Sequence, residues 1–96
     1  MKIKELKNGM SKVDLVAKVL EISEPREVVS RFSGQTLRVA DAIIGDETGT
    51  IKLSLWNEQI EMVNVNDTIK IENGYVNSFR GRLQLNVGKY GKIAVL

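Results

Sequence analysis

From Thr50 to Trp56 apolar and polar side chains alternate without a break. Ile51, Leu53 and Leu55 share one parity; Lys52, Ser54 and Trp56 share the other. Successive side chains of a strand point to opposite sides, so this run predicts a strand with one face buried and one face free. The pattern recurs along the chain. Residues 13–22 begin with Val13, Leu15, Ala17 and Val19 set against Asp14 and Lys18, then change parity at Leu20 and Ile22. A bulge or strong bend near residues 19–21 accounts for the change. Residues 82–87 alternate again, with Leu83, Leu85 and Val87 set against Arg82, Gln84 and Asn86.

The remaining segments fill in the order. Residues 23–35 are polar and hold Pro25 and Gly34, which predicts a long exposed loop or hairpin tip. Residues 37–45 form the second strand. Asp46-Glu47-Thr48-Gly49 is a turn in which Gly49 is free to take positive φ. After the third strand, Asn57 is placed to cap a short helix over residues 58–63, with Ile60 and Val63 on one side. Residues 68–77 form a fourth strand broken by a bulge at Gly74. Residues 78–81 are a hairpin tip, residues 82–87 the fifth strand, and residues 92–96 a short closing strand. Five strands in 96 residues must curl to bury a core, and a helix between the third and fourth can plug one end. The expectation is an all-β chain: one OB-fold domain over residues 1–96, a five-stranded barrel with one short helix between strands 3 and 4.

Composition narrows the function. There is no histidine and no cysteine, which removes the commonest general base, the thiolate nucleophile and the commonest metal ligands. The reading is a non-enzyme without cofactor or metal. No apolar run approaches the roughly 20 residues that span a bilayer, and Met1-Lys2-Ile3-Lys4-Glu5 is no secretory signal. A cytoplasmic protein with no membrane partner is expected. Net charge is only +2, but from Asn73 onward the chain carries Arg80, Arg82, Lys89 and Lys92 and no acidic residue. By itself this is either a solubilising surface or a footprint for an anion.

The face turned from the core decides between them. It is expected to carry Lys52, Ser54 and Trp56 on the third strand and Arg82, Gln84 and Asn86 on the fifth. A bulge at Gly74 turns Tyr75 outward, and Phe79 sits at the last hairpin tip beside Arg80. Each ring has an alternative: Trp56 folded over the helix, Tyr75 inside the barrel, Phe79 packed on a loop or another subunit. Together, on one basic face, they point to base stacking, worth about 1–3 kcal/mol per base, with cations for the phosphates.

The run from Ala42 to Trp56, with its Gly-Asp-Glu-Thr-Gly turn, closely resembles the second and third strands of simple one-domain archaeal single-stranded-DNA-binding proteins related to replication protein A. Ile69 to Tyr75, followed by Phe79-Arg80-Gly81-Arg82-Leu83-Gln84-Leu85-Asn86, resembles their fourth and fifth strands, and the likeness runs from about Leu6 to Lys92. The resemblance implies single-stranded DNA as partner, with little sequence preference, in replication, recombination or repair. Trp56, Tyr75 and Phe79 take the stacking positions. Lys52, Arg82, Gln84 and Asn86 lie along the strand's path, with Ser54 beside them. Arg31, Phe32 and Arg38 are candidates for the far end, and Arg80 and Lys89 join the phosphate partners. Relatives often carry tryptophan where this chain has Tyr75. Many also continue into a tail that recruits DNA-processing partners; here the sequence stops at Leu96, so the protein is either tail-less or longer than this piece. A monomer is expected, since no long apolar edge or coiled-coil stripe demands assembly.

Three other readings stay in view. An RNA-binding OB domain would use the same face, since DNA over RNA rests on the resemblance alone. A protein-interaction OB subunit would use it against a partner chain. A metal nuclease would need Asp41, Asp46 and Glu47 as ligands, although Asp46 and Glu47 already suit a turn.

Overall fold

The computed structural model describes residues 1–88 and 90–96; Lys89 lies outside the described residues. A short 3₁₀ turn over Ile3–Glu5 leads into β1 (Val13–Ile22), β2 (Arg26–Val29), β3 (Thr36–Asp46) and β4 (Gly49–Trp56). Helix α1 (Gln59–Met62) precedes β5 (Thr68–Phe79), β6 (Arg82–Asn86) and β7 (Lys92–Val95). Strands β1, β3, β4, β6 and β5 neighbour one another in that order, and β5 pairs again with β1, closing the ring. All contacts of the ring are antiparallel except the parallel pairing of β4 with β6. This is the expected five-stranded barrel, extended by two short strands: β2 on β3 and β7 on β5.

The core follows the alternation, except that Leu83 of β6, expected inward with Leu85 and Val87, is exposed near the hairpin turn. Val13, Leu15, Ala17 and Val19 of β1 face inward with Ala42 and Ile44 of β3 and Ile51, Leu53 and Leu55 of β4. Ile69, Ile71 and Val76 of β5, Leu85 of β6 and Ile93 of β7 complete the barrel interior. Val63, just after α1, is buried with them, and Ile60 of the helix packs on the cluster. Each Leu or Ile so buried contributes about 1.5–3 kcal/mol of hydrophobic stabilisation. At the other end of the chain Ile3 and Leu6 are buried too.

Two irregularities shape the ring. Val19 pairs with Ile44 and Glu21 with Ile43, so Leu20 is an extra residue in β1, within the interval where the parity changes. Val13 pairs with Gly74 but Leu15 with Ile71, so β5 carries an extra residue between them. It lies just before Gly74, where Asn73 takes φ 56° and donates its N–H to Asp14 Oδ1 at 2.8 Å. Ile69 and Ile71 point inward on odd numbers, Gly74 and Val76 on even ones, and Tyr75 is thrown outward. Space at Gly74 is tight: a Cβ there would lie 3.2 Å from the carbonyl oxygen of Asn86 and from side-chain atoms of Ile71 and Leu85.

Four local expectations are corrected. Part of the loop expected over residues 23–35 is β2; short and bounded by Pro25, it is held by pairing with β3 rather than by its own composition. Gly49 is not at positive φ. Instead Asp46 makes the turn, accepting from the Thr48 N–H at 2.7 Å and from the Thr48 hydroxyl. Asn57, at φ 52°, does not cap α1; its Oδ1 accepts from the Arg38 N–H at 3.1 Å, tying the start of the helix to β3. Phe79 is the last residue of β5, not a tip residue, because the turn is only Arg80-Gly81, at φ 52° and 79°.

Gly74→Ala should destabilise the fold by about 1–3 kcal/mol, the usual cost of overpacking a closed site. Urea denaturation measures it, and an unchanged midpoint would mean that the strand can shift to admit a methyl group. Asp46 gives a pH test. Partial burial alone would raise its carboxyl pKa, but hydrogen bonds from the Thr48 hydroxyl and the N–H groups of Ile3, Thr48 and Gly49 outweigh burial and lower it to about 2. A group lowered on folding adds stability above its unfolded value of about 4, and that stability disappears as pH falls through the folded value. Asp46→Asn should therefore melt below the native chain at pH 7, with the gap closing between about pH 4 and pH 2. A gap that persists unchanged at the lowest pH would remove the carboxylate as its cause.

Candidate nucleic-acid interface

On the face turned from the core, strand register brings distant residues side by side. Val39 lies beside Trp56, and Asp41 beside Ser54. Ser54 lies beside Asn86 and Lys52 beside Gln84 across the parallel β4–β6 pair. Asn86 in turn lies beside Tyr75, Gln84 beside Asn77 and Arg82 beside Phe79. On the other flank, β2 sets Arg26 beside Val39 and Val28 beside Leu37.

These residues line an open groove of about 400 Å³. Arg26, Val28, Val39 and Asp41 form one wall, Tyr75, Asn77 and Phe79 the other, and Lys52, Ser54, Trp56, Gln84 and Asn86 lie between. Two adjoining hollows prolong it. One, of about 430 Å³, passes Trp56 and Tyr75 to reach Leu37, Asn57, Val87 and Gly88. The other, of about 270 Å³, passes Lys52, Phe79 and Gln84 to reach Arg80, Arg82 and Leu83. The three share their boundary residues and make one trough across the barrel.

The rings are presented differently. Phe79 is 54% exposed and Tyr75 44%, whereas Trp56 is half-buried. Tyr75 rests against Gly88, where a Cβ would come 3.2 Å from its Cε1, so a larger residue there would push the ring. Phe79 has Lys52 Nζ at 5.9 Å and Arg80 Cζ at 5.2 Å from its ring centre, both within cation–π range. Ser54 and Asn86, expected on the open face, lie at the bottom of the groove at 6% exposure each. Asn86 is fixed there by donating from Nδ2 to Asn77 Oδ1 at 3.1 Å. Strands that curl into a barrel crowd the middle of the face and leave its margins open.

Other candidates are not brought in. Arg38 belongs to β3 but does not line the groove, and its guanidinium pairs with Glu61 at 2.8 Å. Arg31 and Phe32 sit in the loop between β2 and β3, Phe32 fully exposed, and neither lines the groove. Lys89 lies outside the described residues. Conversely, Asn77, Arg26, Val28 and Val39 line the groove and were missed. Asn77 shares the parity of Tyr75 and Phe79 and was legible on that ground; Arg26 and Val28 were hidden in a segment that reads as loop.

The donor set does not favour a metal. Asp41 is ion-paired to Arg26 at 3.2 Å and Lys52 at 3.5 Å, Asp46 is engaged by the turn, and Glu47 pairs with Lys2. Among the described residues no three acidic, histidine or cysteine side chains gather to hold an ion, and no helix is long and apolar enough to cross a membrane.

Comparison with known proteins gives the family of the fold. The family described as "Single-stranded DNA binding protein Ssb-like, OB fold" matches residues 6–95. The chain is 39% identical over 93 residues to the single-stranded DNA binding protein Ssb of Saccharolobus solfataricus, covering 97% of this chain and 62% of that protein. It is 36% identical over 98 residues to Replication factor A of Methanothermobacter thermautotrophicus, covering 96% of this chain and 12% of that protein. The chain thus spans less than two thirds of the length of either. Among solved structures, the OB domain of Ta0387 from Thermoplasma acidophilum superposes with a TM-score of 0.85 at 28% identity, covering 100% of this chain and 85% of that one. With its closed ring, its helix between β4 and β5 and a family match over nearly its whole length, the chain belongs to the Ssb-like OB-fold family, a family of binding proteins rather than of enzymes.

Proposed function

We propose that this chain binds single-stranded DNA along the trough, with little sequence preference, by stacking bases on Trp56, Tyr75 and Phe79. The observation that carries the reading is that three rings from β4 and β5 share one groove with Lys52 and adjoin Arg80 and Arg82. Exposed rings carry unfavourable apolar hydration that a stacked base face removes, and every base has such a face, so stacking tolerates sequence. Gln84 and Asn77 offer both donors and acceptors between the rings, above the nearly inaccessible Ser54 and Asn86, which suits varied base edges and sugars. The proposed domain is residues 1–96, acting as a monomer. The setting we propose is DNA replication, with recombination and repair, in keeping with relatives named single-stranded DNA binding protein and Replication factor A.

Two measurements test the reading. Titrating oligo-dT should quench or shift the emission of Trp56, the only tryptophan. Poly-U and duplex of equal length serve as competitors. Oligo-dT should win over duplex, because paired bases already cover their faces, and should fall in affinity with a log–log salt slope near −2, about −0.7 for each of three phosphate contacts. Equal affinity for duplex would leave charge as the sole driver, and stronger binding of poly-U would move the reading to RNA.

The second measurement separates binding from folding. Phe79→Ala and Trp56→Ala should each weaken oligo-dT binding by about 1–3 kcal/mol. Phe79→Ala should barely alter urea stability, whereas the half-buried Trp56 should cost more when truncated. A Phe79→Ala chain that unfolds readily yet binds normally would make that ring a packing residue.

A further inference from the structure

A carboxylate stands inside the trough. Asp41 lines the same groove as the three rings, at the centre of the β3 wall, directly beside Ser54. Its Oδ2 lies 3.2 Å from Arg26 Nη1 and 3.5 Å from Lys52 Nζ. The backbone fixes it there: the Asp41 N–H donates to Ser23 Oγ at 2.9 Å, and the Ser23 N–H donates to the Asp41 carbonyl at 2.7 Å. One acceptor therefore holds two cations from the strands on either side of β3, Arg26 on the β2 margin of the groove and Lys52 on its floor. Arg80 and Arg82 at the other end have no ion pair among the described residues.

A negative charge in a groove for a polyanion works against binding by simple electrostatics. We propose that Asp41 is an internal competitor for the phosphate backbone, occupying Arg26 and Lys52 in the free protein and yielding them as a strand enters. This rests on the reading of the trough as a single-strand site. With Asp41 in place, Arg26, Lys52 and Asp41 together present one net positive charge rather than two. The affinity of that end is lowered, and so is its dependence on salt. The strand is then held chiefly by stacking in the middle and by Arg80 and Arg82 at the far end. The pairs are partly exposed, with the Arg26 side chain 55% accessible, so a phosphate oxygen can reach the guanidinium without the fold opening.

The test is fluorescence anisotropy of end-labelled oligo-dT across a salt series, with four chains: the native sequence, Asp41→Asn, Arg26→Gln and the double variant. Asp41→Asn should bind more tightly, with a salt slope steeper by about 0.7, which is about a fivefold larger advantage for each tenfold drop in salt. Arg26→Gln should bind more weakly, with a slope shallower by a similar amount. The double variant has the same net charge as the native groove and should return to the native slope. It also covers the case in which Asp41→Asn alone fails to fold because Arg26 and Lys52 then repel. Asp41→Asn that is unchanged or weaker in both backgrounds, while the native chain binds oligo-dT, would make Asp41 a positioning residue and overturn the inference alone. A native chain that shows no preference for oligo-dT over duplex would instead overturn the single-strand reading, and this inference with it.

Discussion

Closure of the ring is the constraint on which the rest of this structure depends. Five strands close into a ring only if the first strand of the sheet also pairs with the last, and β1 does so by dividing its length between β5 and β3. Its first half, Val13 to Lys18, pairs with β5; its second half, Lys18 to Ile22, pairs with β3. A straight strand cannot face both. The extra residue at Leu20 and the extra residue before Gly74 supply the bend and twist, as bulges do in barrels generally. The second of these also inverts the parity of β5 beyond it, so barrel closure and the exposure of Tyr75 have a common origin.

The outward face is then a consequence of register. Tyr75, Asn77 and Phe79 share a side because they follow the bulge in strict alternation, and β6 sets Asn86, Gln84 and Arg82 opposite them. Curling deepens the middle of this face and lifts its margins, which is why Ser54 and Asn86 are nearly inaccessible while Phe79 is open. Polar groups at such depth must be satisfied, and Asn86 is, by Asn77. The groove combines a fixed polar floor with the half-buried Trp56 on it and the exposed rings of Tyr75 and Phe79 along one wall.

Charge plays a smaller part than the basic C-terminal region suggests. Of the cations lining the trough or its basic end, Arg26 and Lys52 share Asp41, and only Arg80 and Arg82 stand outside ion pairs among the described residues. Arg38, which belongs to the same sheet, is taken up by Glu61. With a net charge of only +2 and three of these cations in ion pairs, phosphate attraction has few free charges to draw on in the trough.

The alternation of Ile51, Leu53 and Leu55 against Lys52, Ser54 and Trp56 was legible because it is a property of neighbouring residues, enforced by the two-residue period of a strand. The parity break after Val19 and the glycine at position 74 were legible for the same reason. By themselves these features marked the five barrel strands along the chain and set Trp56 and Tyr75 on the outer side, whereas Phe79 was read from its nearness to a hairpin tip. Where the signal was not local, it failed. β2 forms only because β3 lies beside it, Asn57 turns to the backbone of Arg38 rather than to its own helix, and Arg38 meets Glu61 across the end of the barrel. Only the tertiary structure decided that Asp41 stands between Arg26 and Lys52, since that contact depends on how β2 and β4 flank β3. Register between distant segments is set by the packing of the whole core, and no short stretch of sequence contains it.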